Sequence, residues 1–174
     1  MVREITPKML RSFPGSKHMP GYFMALDQFD REITGHLAED ARISATELAG
    51  RVRLSVSATA ERLRRLRTSG VIRRFTIDID PIAVGRSIDA IIDVRLSADV
   101  DNEVVEQRLV AVDSVVDVIH LTGSFDLQIR VAACDIAELN DLLVMLKDEL
   151  GTYETNTRLV LGVLPGFPRP IALG

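Results

Sequence analysis

The sequence predicts an α+β chain in two successive parts, a helical first part and a βαββαβ second part. Two observations carry this prediction. Apolar residues recur at helical spacing as far as Gly70, and from Ser87 the period changes from 3.6 to 2. The later segments then read strand, helix, strand, strand, helix, strand, which is the order of a ferredoxin-like sandwich domain.

In the first part, Leu26, Phe29, Ile33 and Leu37 set a helix over about Asp27 to Glu39. Ser44-Ala45-Thr46-Glu47 has the form of a capping box, with the Ser44 hydroxyl accepting from an orphan N–H and Glu47 reaching back to the cap. It opens a second helix with Leu48, Ala49 and Val52 inward. A third helix follows Arg53-Leu54-Ser55-Val56, with Ser57 as its N-cap, Ala60, Leu63 and Leu66 inward, and Gly70 as its terminator. Val71 to Ile79 alternates enough to predict a short β ribbon, which Pro81 ends.

In the second part, Ser87–Ser97 places Ile88, Ala90, Ile92, Val94 and Leu96 on one face. Asp89, Asp93 and Arg95 share the other face with Ile91. Val105, Leu109 and Val112 mark a helix. Strands Val115–Leu121 and Phe125–Val131 flank the turn Thr122-Gly123-Ser124. A helix over about 135–149 presents Ile136, Leu139, Leu143, Leu146 and Leu150, and Tyr153–Val163 is the last strand. Both helices would cover one sheet face. Ile91, Val116 and Val118 on the other predict that it pairs with a second subunit.

Residues 1–24, with Pro7, Pro14, Gly15, Pro20 and Gly21, have no sustained period and are expected to form a flexible arm. The expected organisation is arm 1–24, helical domain 25–80, hinge 81–86, sandwich domain 87–164 and tail 165–174.

The chain is 47% apolar but only 5% aromatic, so aliphatic side chains must fill its core. Its net charge of −4 hides a segregation. Arg42 to Arg74 holds nine Arg against Glu47 and Glu61, a local +7, whereas Pro81 onward holds seven basic against fifteen acidic residues, a local −8. Such a basic block is the footprint of a phosphate-facing surface. Cys134 is the only cysteine, which excludes an intrachain disulfide and a CxxC metal site. It reads as a small buried residue at a strand end. No apolar run of about 18 residues and no signal peptide is visible, so no membrane partner is expected and the cytoplasm is the expected location. No Ser-His-Asp, paired-carboxylate or HExxH arrangement is present, so neither an enzyme nor a cofactor or metal is expected.

Two short helices joined tightly at 53–56 and followed by a wing make a winged helix-turn-helix, whose later helix enters the major groove of double-stranded DNA. Ser55, Val56, Ser57, Ala58, Thr59 and Arg62 are assigned to base edges or the nearest phosphates. The small residues allow close approach, and Arg62 suits a bidentate contact with guanine. Arg64, Arg65, Arg67, Arg73 and Arg74 are assigned to phosphates, which position without specifying. The alternative for any one of them is a solvated helix face. In the second part, Gly123-Ser124-Phe125-Asp126 lies at a turn that asks for Gly and Asp on backbone grounds alone. His120, Thr155, Asn156 and Thr157 offer polar groups to a ligand, or serve only the strands.

These residues resemble the Lrp/AsnC, or feast/famine, regulators. The resemblance runs through Leu26 to Ile33, Asp40 to Ala49, Leu54 to Ser57, Arg62 to Leu66 and Gly70 to Ile72, then Gly85 and His120-Leu121-Thr122-Gly123-Ser124-Phe125-Asp126. It implies DNA-bound homodimers that assemble further, to tetramers or octamers, and a small-molecule effector, commonly an amino acid, bound near the Gly-x-(Tyr/Phe)-Asp turn. That singles out Gly123, Phe125 and Asp126, with His120, Thr122, Ser124 and Thr155 to Thr157 beside them. A turn N–H suits an α-carboxylate and an aspartate suits an α-ammonium. The two-domain plan also resembles the siroheme decarboxylases at Gly70-Val71-Ile72-Arg73-Arg74-Phe75, but Thr76 and Ile77 depart from the Gly-Ala expected there. A tetrapyrrole absorbance band would mark that alternative. Failure to bind DNA would mark a third, a ligand-binding or scaffolding protein.

Overall fold

The computed structural model describes residues 25–164. The arm expected over 1–24 and the tail over 165–174 lie outside the described residues. The chain divides into two compact units, residues 25–78 and 79–163.

The first unit holds α1 (Gln28–Glu39), α2 (Ala45–Arg51) and α3 (Val56–Thr68). Each begins where a side-chain oxygen satisfies an orphan N–H. Asp27 accepts from the Asp30 N–H at 2.9 Å and Ser44 from the Glu47 N–H at 3.1 Å. The capping box is only half closed, because the Glu47 carboxylate turns to Arg51 at 2.7 Å. α2 ends in a Schellman turn: the Leu54 N–H donates to Ala49 O at 3.0 Å and the Arg53 N–H to Gly50 O at 3.4 Å. Arg53 holds the left-handed position at φ 54°, where glycine is usual.

α3 is capped by Ser55, not by Ser57 as the sequence suggested. The Ser55 hydroxyl accepts from the Ala58 N–H at 3.2 Å. The inward stripe also differs. Thr59 and Leu66 are buried, Leu63 is half-buried and Ala60 is exposed. Thr59 tolerates burial because its hydroxyl donates to Ser55 O at 3.0 Å. α1 behaves likewise: Asp30 is buried, whereas Phe29, expected inside, is 36% exposed. The core is Ile33, Leu48, Val52 and Leu66, with Leu26, Leu37, Ile43, Leu54 and Ile72 packed around it.

The ribbon expected over Val71–Ile79 is corrected by the structure, which has no strand at 71–80. The Ile72 N–H donates back to Leu66 O at 3.0 Å, and Val71, Phe75, Ile77 and Ile79 remain exposed. A ribbon needs a returning strand. Instead, Pro81 leads into a 3-10 turn, Ile82–Val84, that closes on Gly85.

The second unit runs β1 (Ile88–Leu96), α4 (Asn102–Val110), β2 (Val115–His120), β3 (Leu127–Ala133), α5 (Ile136–Asp148) and β4 (Thr152–Leu159). The sheet is antiparallel in the order β2-β3-β1-β4. Ala90, Ile92, Val94 and Leu96 meet Leu127, Ile129, Val131 and Ala133 beneath Val105 and Leu109 of α4 and Leu139, Leu142 and Leu146 of α5. Leu142 belongs to the buried stripe, while Ile136, in the first turn of α5, is exposed. β4 ends at Leu159, short of the expected Val163.

The open sheet face is more polar than expected. Val118 pairs with Ile129 and packs on the helix-covered side, and Val116 sits at an irregularity in β2. Ile91 stands on the open face, in register between Arg130 and Arg158, and Val116 is 54% exposed. Around it Arg130 pairs with Asp89 at 2.9 Å, and Asp93 takes both Arg158 and the Gln128 amide.

Cys134 is exposed, which corrects its expected burial. It lies just beyond β3, where its N–H donates to Glu138 Oε2 at 2.6 Å while Asp135 caps α5. The Glu138 carboxylate also holds the Cys134 thiol, and that side-chain contact pushes the thiol pKa up. Among the described residues no helix is long and apolar enough to cross a membrane.

Two backbone positions yield opposite predictions. Gly151 has φ 60°, and a Cβ there would stand 2.6 Å from Val100 Cγ2, so Gly151→Ala should lower unfolding stability by about 1–3 kcal/mol. Arg53→Gly relieves a left-handed non-glycine and should raise it by about 0.5–1 kcal/mol. Urea unfolding of the full chain measures both.

Candidate nucleic-acid interface and effector turn

The rotation of α3 decides what it presents. Ser57, Ala60, Glu61, Arg64 and Arg67 are exposed, with Val56 at its start, whereas Thr59, Arg62 and Leu66 lie toward the interior. Thr59 is 1% exposed, which removes it from the base-contacting set. Ala58 is half-buried, and the Ser55 hydroxyl is occupied by capping.

Arg62, expected at base edges, is tied down twice. Its Nη1 donates to Asp27 Oδ2 at 2.6 Å and to Asp30 Oδ1 at 2.9 Å, and its guanidinium lies 5.2 Å from the Phe29 ring centroid. Only 24% of the side chain is exposed. Arg65 donates to both oxygens of Asp30, at 2.9 and 2.7 Å. Arg64 makes a two-pronged pair with Glu61, at 3.0 and 2.6 Å, yet stays 66% exposed. The Asp30 N–H, and after it Arg62, hold the Asp27 carboxyl below its usual range, and Arg64 does the same to Glu61.

Five arginines between 42 and 74 are exposed and have no ion pair among the described residues: Arg42, Arg53, Arg67, Arg73 and Arg74. Arg64, Arg67 and Arg73 border an open groove of about 460 Å³ over Leu48, Leu63 and Ile72. Such an array suits an extended polyanion better than a single small anion.

In the second unit, the turn after β2 is clamped to the end of β1. The Leu121 N–H donates to Asp126 O at 2.8 Å, the Asp126 N–H to Val94 O at 2.8 Å, and the Leu96 N–H to Asp126 Oδ2 at 2.8 Å. Gly123 has φ 114°, a conformation that side chains other than glycine's rarely allow. Among the described residues nothing accepts from the backbone N–H groups of Thr122, Gly123, Ser124 and Phe125. Arg95 crosses the turn: its Nε donates to Ser124 O at 2.6 Å, its Nη1 lies 3.2 Å from Glu154, and it stands over the rings of Phe125 and Tyr153.

The other candidates point elsewhere. His120 lies 3.1 Å from Glu106 of α4, on the helix-covered side. In β4, Asn156 is opposite Asp93 of the open face, while Thr155 and Thr157 are opposite the core residues Val94 and Ile92. The sequence reading overlooked Asp27, Asp30, Arg95 and Tyr153. Asp30 was detectable, because 26, 30, 33 and 37 keep helical spacing. Among the described residues no group of three or more His, Cys, Asp or Glu could hold a metal ion.

Residues 26–73 match the winged helix-turn-helix DNA-binding family, and residues 89–164 match the Lrp/AsnC ligand-binding domain. The chain is 34% identical over 138 residues to the HTH-type transcriptional regulator FL11 of Pyrococcus furiosus, covering 79% of this chain and 91% of that relative. It is 36% identical over 144 residues to the HTH-type transcriptional regulator AldR of Mycobacterium tuberculosis, covering 81% and 80%. Among solved structures it is similar to the feast or famine regulatory protein of M. tuberculosis complexed with L-methionine, with TM-score 0.77 and 28% identity over 84% of this chain and 99% of that one.

The depressed Asp27 pKa fixes the sign of an acid effect. Its ionised form stabilises the first unit above the unfolded value of 3.8, and that stabilisation is lost as pH falls below 3.8 toward the folded value. Asp27→Asn should therefore destabilise the chain at neutral pH, with the gap to the parent closing in acid. Urea unfolding at a series of pH values reads this out.

Proposed function

This chain belongs to the Lrp/AsnC family of HTH-type transcriptional regulators, and from that premise we propose how it reads DNA and what it senses. The outer row of α3 enters the major groove. Val56, Ser57 and Ala60 permit close approach, and Glu61 and Arg64 offer a carboxylate and a guanidinium to base edges. Arg53, Arg67, Arg73 and Arg74 take phosphates. The observation that carries this reading is the set of exposed arginines without ion pairs on and beside the helix-turn-helix. The protein acts on double-stranded DNA in the cytoplasm.

The effector is an amino acid held at the Thr122–Asp126 turn. The unoccupied N–H groups of residues 122–125 suit an α-carboxylate, and Asp126 Oδ1, left over when Oδ2 accepts from Leu96, suits an α-ammonium. Phe125 and Tyr153, bracketing Arg95, supply apolar surface for a side chain. The L-methionine bound by the M. tuberculosis relative supports this ligand class. A second copy pairs across the open sheet face, which no helix of the unit covers, with further assembly responding to the effector.

Fluorescence anisotropy over a salt series, on the DNA upstream of the gene and on a random duplex, tests the interface. Arg74→Ala should weaken both duplexes alike and reduce the salt slope by about 0.9. An unchanged slope removes Arg74 from the phosphate set. Sedimentation with each standard amino acid tests the effector: if none changes mass or DNA affinity, the ligand reading fails.

A further inference from the structure

We propose that Asp30 is the positioning residue of the DNA-binding surface: it fixes the roll of α3 and withholds Arg62 and Arg65 from the phosphates. This rests on the regulator reading above and adds a determinant of sequence discrimination to it.

The Asp30 side chain is only 2% exposed, and both its oxygens are occupied. Arg62 reaches it from one turn of α3 and Arg65 from the next, so two rigid guanidinium forks converge from α3 on one point of α1. Arg62 is held again by Asp27. The cluster Asp27, Asp30, Arg62 and Arg65 is therefore neutral. Arg62 spends its Nη1 and Arg65 its Nη2 on these carboxylates, so a DNA phosphate that drew either guanidinium fully away would strip a partner from a carboxylate inside the unit, which is strongly unfavourable.

The consequence is in binding, not only in folding. Each additional guanidinium on a phosphate strengthens binding to any duplex and steepens the salt dependence by about 0.9 in log–log slope. That added affinity carries no sequence information. By keeping two arginines of the recognition helix on Asp30, the chain limits the indiscriminate contribution and leaves a larger share of affinity to the groove contacts.

Two variants of the full chain test this on operator and random duplexes across salt. Arg65→Gln changes a half-exposed side chain whose amide can still donate to Asp30, and the salt slope should equal that of the parent. A slope shallower by about 0.9 would show Arg65 on a phosphate and overturn the proposal. Asp30→Asn removes the charge that restrains Arg65 and one of the two that restrain Arg62, which Asp27 still holds. Its slope should steepen by about 0.9, random-duplex affinity should rise, and preference for the operator should fall about tenfold. Weaker binding to both duplexes at an unchanged slope would show a merely structural Asp30 and overturn the proposal. If circular dichroism shows that Asp30→Asn does not fold, the Arg65→Gln slope decides alone. A parent that binds neither duplex overturns this inference and the regulator reading together, whereas a binding parent with a flattened Arg65→Gln slope overturns only this one.

Discussion

The first unit is organised around a charge it cannot expose. Asp30 is buried in a small unit whose core cluster, among the described residues, is Ile33, Leu48, Val52 and Leu66. Breaking a buried ion pair by removing one partner costs about 3–5 kcal/mol, a large part of the roughly 5–15 kcal/mol that holds a domain folded. α1 and α3 must therefore take the rotations that bring Arg62 and Arg65 to that carboxylate. Once those rotations are set, so is the outer row of α3, because side chains three and four positions apart share a face. The row of α3 proposed to face DNA is thus set by the ion pairs that Arg62 and Arg65, beside it on the same helix, make with α1.

The second unit is governed by strand register instead. Pairing β1 with β3 and β4 puts Ala90, Ile92 and Val94 under the helices and leaves Asp89, Ile91 and Asp93 on the open face. Every slip by one residue would exchange the two sets, so the aliphatic row holds the register. The same register places Val94 and Leu96 where Asp126 can bond to both, which anchors the turn at its last residue. The preceding four N–H groups then have no acceptor among the described residues. The sheet anchors the turn, and few of the turn's own backbone groups bond to one another.

The sequence made most elements legible and misplaced the polar residues within them. Aliphatic alternation located β1 and β3, and the cap at Ser44 located α2, because both signals are local. The inward stripes of α1 and α3 were drawn through apolar residues, Phe29 and Ala60, when the buried positions are Asp30 and Thr59. Neither residue is apolar, and each is buried only because of a partner, Arg62 and Arg65 for Asp30 and the Ser55 carbonyl for Thr59. For Asp30 those partners lie more than 30 positions away. Hydrophobic periodicity contains no such information. The ribbon failed for a related reason: alternation over Val71–Ile79 signals extended backbone but not the existence of a strand to pair with it. At the 122–126 turn the glycine and aspartate were legible, whereas Arg95 and Tyr153 reach it from β1 and β4, strands distant in sequence.

The charge of the basic block shows why such partners matter for function. Counting only residues 42–74 leaves +7, since Glu47 and Glu61 are the acidic residues within it. In three dimensions Glu47 pairs with Arg51 and Glu61 with Arg64, while Asp27 and Asp30, from outside the counted window, neutralise Arg62 and Arg65. The arginines of this block that carry no ion pair among the described residues are Arg42, Arg53, Arg67, Arg73 and Arg74, which lie before α2, at the turn between α2 and α3, at the end of α3 and just beyond it. The middle of α3, which the proposed reading puts at base edges, keeps a balanced Glu61–Arg64 pair, and the surplus charge lies at its ends and flanks. Phosphate attraction there can orient the helix without overwhelming the contacts made along it.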